Sequence, residues 1–156
     1  MGSVERKEED KLMSLLSTIS KPADRSVICT ITGDAGTGKT TLGATFPKPI
    51  FIRIEDGLQA VPEANRPDAF PVISKVDQLW EQLTALITEP HDYKTVVIDS
   101  ITQLETLFAE YVIANDPKQP KSLAQANGGY GAGYLAVSAL HGRVRKAAKA
   151  LNEKRN

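Results

Sequence analysis

The sequence of 156 residues contains one cysteine and only two histidines. A single cysteine excludes a disulfide framework, and two histidines without a matching set of ligands give no metal cluster. Cys29 lies in the apolar run VICTIT, where we expect a small core residue. This scarcity of cysteine is typical of a reducing compartment, and we therefore expect the chain to act in the cytoplasm.

Long apolar runs and net charge are also missing. No apolar stretch approaches the roughly 20 residues that span a membrane, so we expect neither a membrane segment nor a signal peptide. The 19 basic and 19 acidic side chains cancel, so contact with nucleic acid would need a local basic patch. The hydrophobic content of 41% and charged content of 24% are ordinary for one globular domain.

The pattern divides the chain into an arm at residues 1–24 and a core at residues 25–156. The opening MGSVERKEEDK is highly charged, and its first 12 residues could be an addition to the natural chain. Leu12, Leu15, Leu16 and Ile19 have helical spacing and predict a short helix. That helix either docks on the core or packs on a neighbouring subunit.

The core alternates between strand-like and helix-like segments. Strands are predicted at RSVICTIT (25–32), PIFIRIE (49–55) and TVVIDS (95–100), with a further candidate at FPVI (70–73). Helices are predicted from Lys39, over 74–87, over 104–112 and from about Tyr134 to Leu151. The alternation indicates an α/β fold with a mainly parallel sheet flanked by helices.

The segment GDAGTGKT fits the P-loop pattern and stands between a predicted strand and a predicted helix, the context that supports it. Its glycines let backbone N–H groups approach phosphate oxygens, and the helix adds the positive end of its dipole. Lys39 is predicted to reach the β- and γ-phosphates of ATP and Thr40 to ligate Mg²⁺. The predicted nucleotide-binding residues are Gly33, Asp34, Ala35, Gly36, Thr37, Gly38, Lys39, Thr40 and Thr41.

A second acid for the metal is expected after a buried strand. TVVIDS places Asp99 at the carboxyl end of such a strand, which has the form of a Walker B element. Asp99 is predicted to hold Mg²⁺ directly or through water. For Ser100, capping of the next helix is the preferred role.

The residue after Asp99 is serine, so the acid that often follows the Walker B aspartate in P-loop ATPases is missing there. Glu55 ends the second strand and is the candidate catalytic residue together with Lys39. If its strand lies beside that of Asp99, Glu55 faces the γ-phosphate and orients or deprotonates water. Asp56 is the lesser candidate, and a solvated carboxylate at a strand end is the alternative interpretation.

GDAGTGKTT, IEDGL and YKTVVIDSITQLE, with the later GGYGAGY, resemble the RecA-like P-loop ATPases. Within that group they are most similar to the bacteriophage single-strand annealing ATPases of the Sak group. The similarity covers about Ser26 to Asn152. It implies a minimal RecA-like core, ATP-dependent binding or annealing of single-stranded DNA, assembly into a homo-oligomer or filament, and a place in the bacterial host cytoplasm.

In RecA-like proteins the loop before the last predicted helix lies near the DNA. Here that loop combines flexible glycines with amines and aromatic rings, the groups that bind single strands. The alternative for the basic helix that follows is a solvated surface. The candidate DNA contacts are Lys118, Lys121, Tyr130, Tyr134, Arg143 and Arg145.

The resemblance also implies a strand between those of the P-loop and of Asp99, and this sequence holds none for it. We therefore expect the core to be C-terminally truncated, with the gap filled from another chain or left open. Two other functions remain open: a P-loop kinase of small molecules, and a module that binds nucleotide without hydrolysing it.

Overall fold

The computed structural model describes residues 15–21 and 26–154. Seven regular elements follow one another along the core. They are α1 (Lys39–Ala44), β1 (Pro49–Arg53), β2 (Asp68–Ala69), α2 (Val76–Thr88), β3 (Thr95–Asp99), α3 (Ile101–Ala114) and α4 (Ala132–Glu153). Within the described ranges, no helix has the length and apolar character needed to cross a membrane.

The strands form a parallel sheet in the order β2-β1-β3. Arg53 is level with Asp99 in the register of β1 and β3, so the carboxyl ends of these two parallel strands lie side by side. This confirms the expected α/β class and places the strand of Glu55 beside that of Asp99. The predicted FPVI strand is wrong, because β2 ends at Ala69 and only single backbone bonds from Phe70 and Ile73 reach β1.

The core lies on both faces of β1, because successive side chains of a strand point to opposite faces. On one face, Ile50 and Ile52 pack with apolar side chains that include those of α2, α3 and α4. On the other face, Phe51 packs with Leu58, Val61 and Ala44 of α1. Burial on both faces explains why PIFIR is apolar without alternation.

Gly43 allows α1 to approach the sheet closely. A Cβ at Gly43 would lie 3.2 Å from Phe51 Cζ and 3.3 Å from Val97 Cγ1. The other helices begin and end near their predicted positions. The Gln78 side chain accepts hydrogen bonds from the backbone N–H groups of Ser74 and Lys75, which fixes the start of α2.

The predicted strand at 25–32 is wrong for the part that the structure describes. Residues 26–34 have no regular secondary structure, and Val27 and Ile28 are 82% and 51% exposed. Cys29 is exposed as well, contrary to the expected core position. The physical reason is the lack of a partner, because an extended segment becomes a strand only by pairing. Among the described residues, β3 pairs with β1 alone.

The arm is described only at residues 15–21. Leu15, Leu16 and Ile19 are 61%, 59% and 73% exposed, so this part of the arm does not dock on the core as one alternative expected. Leu12 lies outside the described residues. Packing on a neighbouring subunit stays a prediction.

Candidate nucleotide-binding site

The P-loop forms an exposed turn that leads into α1. Gly36 and Gly38 have φ angles of +79° and +87°, in the left-handed region that favours glycine. Gly38 is also the N-cap residue of α1. The two glycines are therefore required by the path of the backbone, and residues 33–38 remain open to solvent.

The Lys39 side chain binds back to the start of this turn. Its ammonium donates hydrogen bonds to the carbonyl oxygens of Gly33 and Asp34, each at 2.7 Å. The Thr37 hydroxyl donates to the Asp34 carbonyl at 2.8 Å. The cation expected to meet phosphate is thus held at the centre of the loop that would surround it.

Thr40 and Asp99 meet although they belong to different elements. The Thr40 hydroxyl donates to Asp99 Oδ2 at 2.7 Å, and both residues are half-buried. Thr40 lies in the first turn of α1 and Asp99 ends β3, so the packing of α1 on the sheet sets this distance. A hydroxyl and a carboxylate are oxygen ligands of the kind that Mg²⁺ prefers, so the pair fits that ion.

The two acids after β1 have different surroundings. Asp56 accepts from Arg53 Nη1 at 2.9 Å and from Gln59 Nε2 at 2.7 Å, so both of its oxygens are engaged. Glu55 is exposed, and its carboxylate makes no hydrogen bond or ion pair within the described part of the chain. The geometry therefore favours Glu55 over Asp56 as the acid that is free to act on water.

Ser100 accepts a hydrogen bond from the backbone N–H of Gln103 at 3.3 Å and is the N-cap of α3. This is the capping role that the sequence favoured. Gly57 was missed by sequence reasoning, although it lies directly against Thr40 and Asp99. The only signal was a glycine following the two acids in IEDGL.

The loop between α3 and α4 is organised around a buried carboxylate. Asp116 is 5% exposed and accepts from the backbone N–H groups of Lys118 at 2.8 Å and Asn127 at 2.5 Å. These bonds hold the pKa of Asp116 below its ordinary value. Gly133 permits a second close contact, since a Cβ there would meet the Leu123 carbonyl oxygen at 2.1 Å.

The candidate DNA contacts lie on different parts of the loop and of α4. Tyr130 is fully exposed with a φ of +50°, Tyr134 is 58% exposed, and Lys118 and Lys121 are exposed on the same loop. Arg145 follows Tyr134 by about three helical turns and shares its face of α4.

Arg143 follows Tyr134 by about two and a half turns, so its side chain projects from the opposite side of α4. Its guanidinium lies 4.2 Å from the centre of the Trp80 ring, in a cation–π contact. The prediction that places Arg143 with the other candidates is therefore not supported by the geometry.

Comparison with known proteins identifies a family. The sequence profile of an AAA domain matches residues 25–155. No curated protein and no solved structure matches the chain. The matched region includes the P-loop, Asp99 and Glu55, which the fold brings to the carboxyl ends of β1 and β3. The chain belongs to the AAA domain family of P-loop nucleotide-binding proteins.

Proposed function

We propose that this chain is a RecA-like ATPase of phage recombination that binds or anneals single-stranded DNA. The observation that carries the proposal is the contact of Thr40 with Asp99 beside a free Glu55. An ATPase needs these three parts within reach of one triphosphate: a phosphate loop, oxygen ligands for Mg²⁺, and an acid that positions water.

The residues of the site have separate roles in this proposal. Lys39 leaves the carbonyls of Gly33 and Asp34 in favour of the more strongly charged phosphate oxygens. Thr40 and Asp99 hold Mg²⁺, which when bound neutralises charge on the phosphates. Glu55 orients the attacking water and accepts its proton.

The exposed tyrosines support the DNA part of the proposal. An aromatic ring interacts only weakly with water. Stacking of a base on such a ring contributes about 1–3 kcal/mol to the free energy of binding a single strand. Tyr130 and Tyr134 lie near each other in the sequence, with Lys118 and Lys121 on the same loop to contact phosphates. The resemblance to the Sak group, and assembly on DNA as a homo-oligomer or filament, belong to the same proposal.

Release of phosphate from Mg·ATP, measured with and without single-stranded DNA, tests the function. We expect hydrolysis that DNA stimulates. Transfer of the phosphoryl group to a small acceptor would instead indicate a kinase, and nucleotide binding without turnover would indicate a non-hydrolysing module.

Three variants test the ATP-binding and the DNA-binding parts of this proposal separately. Lys39→Ala should lose tight Mg·ATP binding, because its contacts to the phosphates are charge-assisted.

Tyr130→Ala should keep ATP binding but weaken DNA binding, and Lys121→Ala should lower the salt dependence of DNA binding. Arg143→Ala is the matched control among the basic residues, since it leaves on the other flank of α4. DNA affinity that ignores both loop changes would contradict the DNA interface.

A further inference from the structure

Gly57 is the main-chain neighbour of the Thr40–Asp99 pair. It opens a 3₁₀ turn (Gly57–Ala60) that follows directly on Glu55 and Asp56. A Cβ at Gly57 would lie 3.2 Å from Asp99 Oδ2 and 3.3 Å from Thr40 Oγ1. Both distances are shorter than ordinary van der Waals contact, so a side chain would press on both oxygens at once.

The backbone does not explain why this position is glycine. The φ angle of Gly57 lies outside the left-handed region, so any side chain is allowed by the local conformation. What glycine contributes here is therefore space. The space lies beside the two oxygens that fit Mg²⁺, an ion that demands near-octahedral coordination and keeps several of its waters.

We propose that Gly57 is a positioning residue for the metal, and that its missing side chain leaves room for the water shell of Mg²⁺. The same space lets the Thr40 hydroxyl and the Asp99 carboxylate separate from their 2.7 Å hydrogen bond and accept the ion. This inference rests on the proposed nucleotide-binding function and assigns one more residue to that site.

The test is Gly57→Ala, with the affinity for a fluorescent ATP analogue measured once in Mg²⁺ and once in EDTA. We expect the variant to bind the metal-free nucleotide as the unsubstituted chain does, because the atoms nearest the added Cβ belong to Thr40 and Asp99 and not to Lys39 or to the glycines of the P-loop. The gain in affinity that Mg²⁺ brings should fall by roughly 10-fold to 100-fold, the usual effect of disturbing groups that orient metal ligands.

Gly142→Ala is the matched control. Gly142 lies within α4, and a Cβ there meets no atom within 4 Å, so neither affinity should change. Binding in EDTA also shows that the site of each variant is folded. Electron paramagnetic resonance of Mn²⁺ with the nucleotide gives a second readout, in which the Gly57→Ala variant should bind Mn²⁺ more weakly than the unsubstituted chain.

The outcomes are distinct. A full Mg²⁺-dependent gain in Gly57→Ala would overturn the inference, as would equal losses in Mg²⁺ and EDTA, since these would indicate a displaced P-loop. If the unsubstituted chain binds no nucleotide in either buffer, the proposed function fails and the inference falls with it.

Discussion

Among single side chains, the contrast between Glu55 and Asp56 is the most informative. The two carboxylates are adjacent, yet Arg53 and Gln59 engage Asp56 while Glu55 stays free. A carboxylate whose two oxygens already accept hydrogen bonds from neighbouring side chains is poorly placed to orient an attacking water. The two carboxylates therefore differ in how accessible they are to an attacking water.

Glu55→Gln should retain Mg·ATP binding and slow hydrolysis by orders of magnitude, because only the base or the positioning of water is removed. Single-turnover hydrolysis, with ATP affinity measured in parallel, checks this. Asp56→Asn is the matched control and should cost far less catalysis. If Asp56→Asn is the crippling change, the catalytic carboxylate has been assigned to the wrong residue.

The sequence predicted these side chains to different extents. The roles of Lys39, Thr40 and Asp99 follow from local patterns, because a P-loop and a strand ending in aspartate each carry their chemistry within a few residues. The position of Gly57 against Thr40 and Asp99 follows no local pattern. It depends on how the 3₁₀ turn packs across the site, which only the folded chain defines.

Among the elements, the loop between α3 and α4 depends most clearly on one residue. Asp116 binds the backbone at Lys118 and at Asn127, and so ties two distant parts of the loop together. Its lowered pKa results first from the N–H of Lys118 and then from that of Asn127. The folded state therefore favours the charged carboxylate more than the unfolded state does.

This gives a prediction for stability against pH. The contribution of Asp116 is fully present above its unfolded pKa of about 3.9 and is lost as pH falls through the lower folded pKa. Urea unfolding across that range should show a smaller loss of stability with acid in Asp116→Asn than in the unsubstituted chain. Glu110→Gln, an exposed carboxylate on α3, is the control. Identical acid dependence in all three proteins would contradict the role of Asp116.

Element prediction succeeded where the chain provides its own partner. The sequences of β1 and β3 are apolar, and the two strands pair with each other. The run at 25–32 is just as apolar, yet residues 26–32 stay unpaired. Propensity and pattern describe what a segment is suited for, whereas pairing depends on a neighbour that the pattern does not contain.

In the molecule as a whole, one edge of the sheet is incomplete. β1 is flanked on both sides, but within the described ranges β3 has no second neighbour, and all five of its residues are only half-buried. Direct pairing of residues 27–31 with β3, as a kinase-like order would require, is not observed. An apolar edge of this kind favours association with another strand.

We expect a strand from a longer form of the chain, or from a second copy, to fill the place beside β3. Sedimentation velocity over a concentration series should then show association of the 156-residue chain. Val27→Lys should reduce association, because a charge at an unpaired apolar segment opposes strand addition.

Leu135→Lys is the control for that experiment, since Leu135 is 72% exposed at the loop end of α4. A monomer at all concentrations whose β3 amides exchange slowly with solvent would contradict the expected strand.

Helix α4 gives the molecule a mechanical connection. Its 22 residues form a rod roughly 33 Å long at 1.5 Å per residue. Near one end, the Asn152 amide donates a hydrogen bond to the Ser26 carbonyl at 3.2 Å, in the irregular segment that leads to the P-loop. Near the other end, Tyr134 stands in solvent. Because one helix joins these two places, we expect a displacement of Ser26 on nucleotide binding to change the position of Tyr134.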